Sequence, residues 1–217
     1  MSQKTTTKRR LPTFLIVLLA AIGLTTVFVM IPPNHDKVPD KQLPWNSHYN
    51  ANGALEALGL VVNQSTVQEA KMLFGDDVEV KIFSKKDETG KSAEAYFPSM
   101  HIATIHGALA IGIAVPENQL NAFYAQGVQT TVTPNGNRQV TPNTDDIQVL
   151  MSLPIASVTL IPRKNLTQRA IEMRFGKPQR IENQSDGLEH WFYPEKGLEL
   201  LYDENGPEAL QYVPGLK

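Results

Sequence analysis

From Leu11 to Ile31 the chain reads "LPTFLIVLLAAIGLTTVFVMI", with no charged residue. An α-helix needs about 20 apolar residues to cross the hydrocarbon layer of a bilayer, and this run has that length. The apolar core of a cleaved signal is shorter, roughly 7 to 15 residues, and ends at a small-x-small site that "FVMIPPN" does not offer. A retained transmembrane helix is therefore predicted over 11–31, stopped by Pro32 and Pro33. The polar, proline-punctuated stretch that follows reads as an extended linker over 32–53, with Trp45 expected to pack on the folded part rather than in the membrane interface.

Beyond the linker the spacing of apolar positions alternates between helical and strand periods. "QSTVQEAKMLFGDD" at 64–77 returns in blurred form as "NLTQRAIEMRFGKP" at 165–178. Placing Gly75 on Gly176 also brings Thr66 onto Thr167, Met72 onto Met173 and Phe74 onto Phe175. Each copy predicts a short amphipathic helix. Val67, Ala70 and Phe74 fall on one face of the first, and Leu166, Ala170 and Met173 on one face of the second. Ser65 with Gln68, and Asn165 with Gln168, read as capping boxes, and the glycine of each "FG" is available for a left-handed helix end.

Short strand-like runs follow each helix. "VEVKIFS" and "AEAYFP" flank a polar turn after Gly75, and "IATIHGALAIGIAV" supplies a long apolar strand or a bent pair. After Gly176 come "QRIENQ", "LEHWFY", "LELLY" and "EALQYV", divided by Gly, Pro, Asn and Asp, the punctuation of an antiparallel meander. Between the halves, 116–127 reads as a helix, a hairpin is expected around Asn135-Gly136, and "SVTLIP" as a strand. The expectation is an α+β fold of two tandem helix-plus-antiparallel-sheet units. The first spans 54–127, a connecting loop or hairpin 128–154, and the second 155–217.

Charge adds an orientation. Lys4, Lys8, Arg9 and Arg10 are the only charged side chains before Pro32, so a basic tail at 1–10 abuts the apolar helix. The positive-inside rule places that tail in the cytoplasm and the body outside it. In a Gram-negative cell this is a single-pass inner-membrane protein with a periplasmic domain. Of the 20 basic side chains 16 then remain against 22 acidic ones, leaving the body at a net −6. A body of that sign, with no basic stripe, argues against nucleic-acid binding. The absence of cysteine excludes disulfides, thiol chemistry, cysteine-ligated zinc and a lipidated cysteine.

No motif in the chain specifies a reaction. His101 and His106 stand five apart, which fits neither adjacent helical turns nor one strand face, so no metal is expected. "AIGIAVP" lacks the lysine and hydroxyl of a phosphate loop and reads as a tightly packed buried strand. His190 beside Glu189 reads as an exposed strand position. No setting for a nucleophilic serine exists, so neither catalytic residues nor a cofactor is expected. The densest aromatic group is Trp191, Phe192, Tyr193 and Tyr202. Trp191, Tyr193 and Tyr202 are the candidate partner-binding residues, with core packing beneath the second helix as the competing role of Trp191.

The second half also carries a resemblance. Thr167, Phe175, Gly176 and Pro178, then Trp191 and Tyr193, then "GLELLYDENG", resemble the small-lipoprotein domain of the outer-membrane β-barrel assembly machinery, the SmpA/OmlA family. Phe74 and Gly75 carry a fainter version in the first half. A tandem of such units is also similar to the β-lactamase inhibitor proteins. The resemblance implies a non-catalytic domain that binds proteins or supports protein complexes. The family's lipid-bearing cysteine is replaced here by the apolar helix. Two functions follow as expectations: a membrane-anchored module that binds another envelope protein, or a sensor or carrier enclosing a small molecule or lipid between the two units.

Overall fold

The structure, a computed structural model, describes residues 38–185, 187–203 and 206–216. The basic tail and the predicted transmembrane helix lie outside the described residues. Among these residues, no helix is long and apolar enough to cross a membrane.

Among the described residues the fold is α+β, with two sheets and four helices. Three short strands, β1 (His48–Tyr49), β2 (Leu55–Ala57) and β3 (Leu60–Val61), form a small antiparallel sheet. The large sheet is built from β4 (Glu79–Ser84), β5 (Ser92–Ile102), β6 (Ile105–Ile113), β7 (Gln129–Val132), β8 (Arg138–Thr141), β9 (Ile155–Pro162), β10 (Arg180–Asn183), β11 (Glu189–Tyr193), β12 (Leu198–Tyr202) and β13 (Ala209–Tyr212). Its ten strands run in the order β10-β11-β12-β13-β9-β6-β5-β4-β8-β7. Every neighbouring pair is antiparallel. The helices are α1 (Val67–Phe74), α2 (Glu117–Ala125), α3 (Thr144–Ser152) and α4 (Gln168–Phe175).

Strand alternation decides where the core lies. Direct cross-strand partners share a face. One such row, Val80–Ala95–Ile111–Val158–Tyr212–Leu198–Tyr193, crosses seven strands, and each member is at most 5% exposed. All four helices pack on this apolar face. Phe74 of α1 meets Phe97 edge-on at 6.2 Å. Tyr124 of α2 bonds the buried Ser84 hydroxyl at 2.9 Å. Leu150 of α3 is fully buried in the same cluster, and Phe175 of α4 meets Tyr193 at 6.1 Å. The two strand groups expected as separate small sheets are continuous, because β6 pairs with β9 along nearly its whole length. Joining them removes two long apolar edges that would otherwise stand open. Close approach at this seam requires glycine: a Cβ on Gly107 would lie 2.5 Å from the Ile161 carbonyl oxygen, and one on Gly112 2.5 Å from Ser157 Oγ.

Both "FG" helices form, with details that differ from expectation. The caps are Thr66 and Thr167, whose hydroxyls accept from the amides of Glu69 and Ala170 at 3.2 Å. Ser65 is instead turned back to accept from the Val61 amide. Gly75 (φ 110, ψ 172) and Gly176 (φ 83, ψ −175) end the helices in the same way. This is the extended positive-φ region open essentially to glycine, rather than the left-handed helical region. The buried face of α4 carries Ile171 and Phe175. Met173, expected inward, is 75% exposed, because Phe175 is drawn to Tyr193 and Trp45.

Two segments read as connectors are structured. From Val38 onward the expected linker forms two 3-10 turns and β1, and buries Pro44 and Ser47. It is held by the Tyr212 hydroxyl donating to the Pro44 carbonyl at 2.8 Å and by Lys196 donating to the Trp45 carbonyl at 2.9 Å. Within 128–154, β7 and β8 form the hairpin around Asn135-Gly136. The remainder is α3, capped by Asn143 accepting from the Asp146 amide at 2.8 Å.

Candidate functional site

The aromatic group on β11 is mostly core. Trp191 is 1% and Tyr193 5% exposed. Trp191 Nε1 donates to Glu189 Oε2 at 3.0 Å, and its ring lies 5.3 Å from that of Tyr202. The Tyr193 hydroxyl donates to the Gly176 carbonyl at 3.2 Å, and burial, with Glu172 nearby, pushes its pKa up to about 12. Of the three candidate partner-binding residues only Tyr202 is partly exposed. The remaining motif residues serve the fold: Thr167 caps α4, Phe175 is buried, Gly176 and Gly75 close helices, and Phe74 and Pro178 are half-buried.

The face opposite the helices is differently built. Its central row runs Glu79–Tyr96–Ala110–Thr159–Gln211–Glu199–Phe192–Arg180 across eight strands. Small and polar side chains occupy the middle, and none of Ala110, Thr159, Gln211 or Glu199 is buried. Tyr96, 41% exposed, stands toward one end of the row. Toward the other, the Arg180 guanidinium lies over the Phe192 ring at 4.1 Å, and His190 Nδ1 sits 2.6 Å from Glu199 Oε1. His190, read as solvent-facing, is 6% exposed and belongs to this cluster. Antiparallel sheets can present one face to water, and this one does.

A concavity of about 720 Å³ opens on the helix side, where the β5–β6 hairpin, the end of β9, α4 and the Trp45 segment meet. Leu160, Leu210 and Phe175, all nearly inaccessible, form its floor. Arg163, Lys164 and Arg174 are exposed around it, and His106 is half-buried there. Arg174 lies 4.3 Å over the Trp45 ring. The Leu166 amide is held from behind by the fully buried Glu208, whose Oε1 accepts at 2.8 Å.

His101 and His106 face each other directly across a two-residue turn, with rings nearly parallel and centroids 4.1 Å apart. A turn at Ala103-Thr104 converts five residues of separation into one cross-strand pair, so the two histidines share a strand face despite their spacing. Ser99 Oγ lies 3.1 Å from His106 Nε2. Partial desolvation, then Arg163 and His101, hold the His106 pKa below its ordinary value. Among the described residues no three or more His, Asp or Glu side chains converge on a point where a metal would sit.

Sequence reasoning could not find the open face or the concavity, because both depend on β6 pairing with β9. The one available signal was the length of the two apolar strands, which is what a central position in a sheet needs. No family model, no curated protein and no solved structure matches this chain.

Proposed function

We propose that the chain is a single-pass protein of the cell envelope, anchored by 11–31 with its N-terminus in the cytoplasm. Its extracytoplasmic part is a non-catalytic module that binds another envelope protein. The supporting observation is a sheet face that no described helix covers. A ten-stranded sheet whose central row is small and polar, with Tyr96 and the Arg180–Phe192 pair flanking it, suits a partner laid across the strands. In this reading the two capped "FG" helices belong to two tandem helix-plus-sheet units of SmpA/OmlA type, fused edge to edge. The shared Thr caps and the matching glycine conformations support that kinship.

Two experiments test the proposal. The chain contains no cysteine, so a Thr131→Cys variant carries a single thiol at an exposed strand position. A membrane-impermeant maleimide should label it in cells whose outer barrier is opened while the inner membrane stays intact; protection until full lysis would overturn the orientation. Co-purification from gently solubilised membranes should yield a stoichiometric envelope protein with the wild type. It should be lost with Thr159→Arg, which places a long cation mid-face. Equal recovery from both would overturn the docking face.

A second reading, a sensor or carrier of a small molecule or lipid at the junction of the halves, is favoured by the 720 Å³ concavity. That volume lies inside the range of about 300–1,000 Å³ usual for small-molecule sites.

A further inference from the structure

We infer that the concavity beside α4 binds a single-chain lipid with an anionic head. This rests on the second reading above and gives it a ligand class. Three observations carry it.

The first is the floor. Leu160 and Leu210 are direct cross-strand partners on the buried face of β9 and β13, and with Phe175 they line the bottom of the cavity. Above this floor Ile105, Leu166 and Ala170 are half-buried rather than inaccessible, and an alkyl chain laid there would cover them. Apolar surface removed from water on both sides drives such binding.

The second is the charge. The body as a whole is acidic, yet among the described residues no Asp or Glu lines this cavity. Its charged lining consists of Arg163, Lys164 and Arg174, with His106 beside them. None of the three cations makes an ion pair with a carboxylate among the described residues. The fully buried Glu208 accepts from the Leu166 amide through Oε1 and forms no ion pair with these cations among the described residues. A carboxylate or phosphate head would meet cations that hold no carboxylate among the described residues, whereas a cationic or neutral head would gain nothing from them.

The third is the geometry of the two parts. The cations are exposed and the leucines and Phe175 inaccessible, so the polar and apolar groups separate along the depth of the cavity. This is the polarity of an amphiphile entering tail first. Trp45, half-buried under Arg174 and edge-on to Phe175 at 6.3 Å, forms a wall between the two zones.

The test uses the full chain in native membranes. A photoactivatable analogue of palmitate is added, with a photoactivatable hexadecanol as the neutral-headed control. After irradiation, the labelled peptides are identified by mass spectrometry. The palmitate analogue should label peptides containing Leu160–Leu166 or Phe175, and hexadecanol much less. The exposed-site variant Lys164→Glu with Arg163→Glu should fold normally and lower the palmitate label by about tenfold, the effect of losing a charge-assisted contact. Ala170→Trp, which fills the cavity from α4, should abolish it. Equal labelling by both probes, label confined to 11–31, or label unchanged in the charge-reversed variant would each overturn the inference. The docking proposal concerns the opposite face of the sheet, and Thr159→Arg should leave this label unchanged, so the two can fail separately.

Discussion

The hydroxyl of Tyr193 donates to the carbonyl of Gly176 and so ties the closed end of α4 to the sheet that the helix covers. One partner comes from "FGKP" and the other from "WFY". Tyr193→Phe should keep the ring packed against Phe175 and lose only this bond. The expected cost is about 0.5–1.5 kcal/mol, read by denaturant unfolding.

The same residue sets an alkaline limit. Burial raises the folded-state pKa of Tyr193 to about 12, against about 10 for an unfolded chain. Folding therefore retains a proton that the unfolded chain has released. This contribution to stability is complete below pH 10 and is lost as pH rises toward 12. Burial also raises the pKa of Tyr212, fully buried and bonded to Pro44, well above its ordinary value, and acts in the same direction. Unfolding midpoints followed from pH 8 to pH 11.5 should fall in the wild type, and fall less steeply in Tyr193→Phe.

Gly75 and Gly176 make a matched test of backbone strain. A Cβ at either position would meet nothing within 4 Å, so crowding cannot explain the residue choice. Their φ of 110 and 83 with extended ψ can. Gly75→Ala and Gly176→Ala should each cost about 1–3 kcal/mol. Gly176→Ser should cost about the same, because the penalty lies in the backbone. Denaturant unfolding of the three variants measures it.

At the seam the obstacle differs between two glycines. Gly107 faces a backbone carbonyl that cannot move without breaking the β6–β9 pairing, while Gly112 faces the Ser157 hydroxyl. Gly107→Ala should therefore destabilise more than Gly112→Ala. Adding Ser157→Ala should restore much of the loss in the second variant and none in the first. A double-mutant cycle on thermal midpoints checks both.

These seam residues mark the limit of what was legible in the sequence. The runs from "VEVKIFS" to "EALQYV" all became strands, since their alternation records which side chains face the core. The doubled "FG" helices formed for the same reason, and the caps lay one and two residues from the positions read for them. Non-local pairing leaves no such record. Nothing in "IHGALAIGI" names "IASVTLIP" as its neighbour, so the joined sheet, its open face and the basic-rimmed cavity were invisible. The burial of Trp191 and Tyr193 was also undecidable from alternation alone, which assigns two residues to one face without saying which face is covered.

His106 supplies an acid-side prediction. Its folded pKa lies below that of an unfolded histidine, so the unfolded chain binds the proton first. The neutral form's contribution is present above about pH 6.5 and is lost as pH falls through the folded value. His106→Gln should flatten this dependence. Proton NMR of the stacked pair should place the His106 midpoint below 6.5.

Cross-linking in living cells tests whether the helix-free face meets a partner, as proposed. A photo-cross-linking amino acid would be placed at Thr159, mid-face, and separately at Met72, 74% exposed on α1 behind the sheet. One discrete heavier adduct, containing an envelope protein, is expected from Thr159 and none from Met72. An adduct from Met72 with none from Thr159, or no adduct from either, would contradict it.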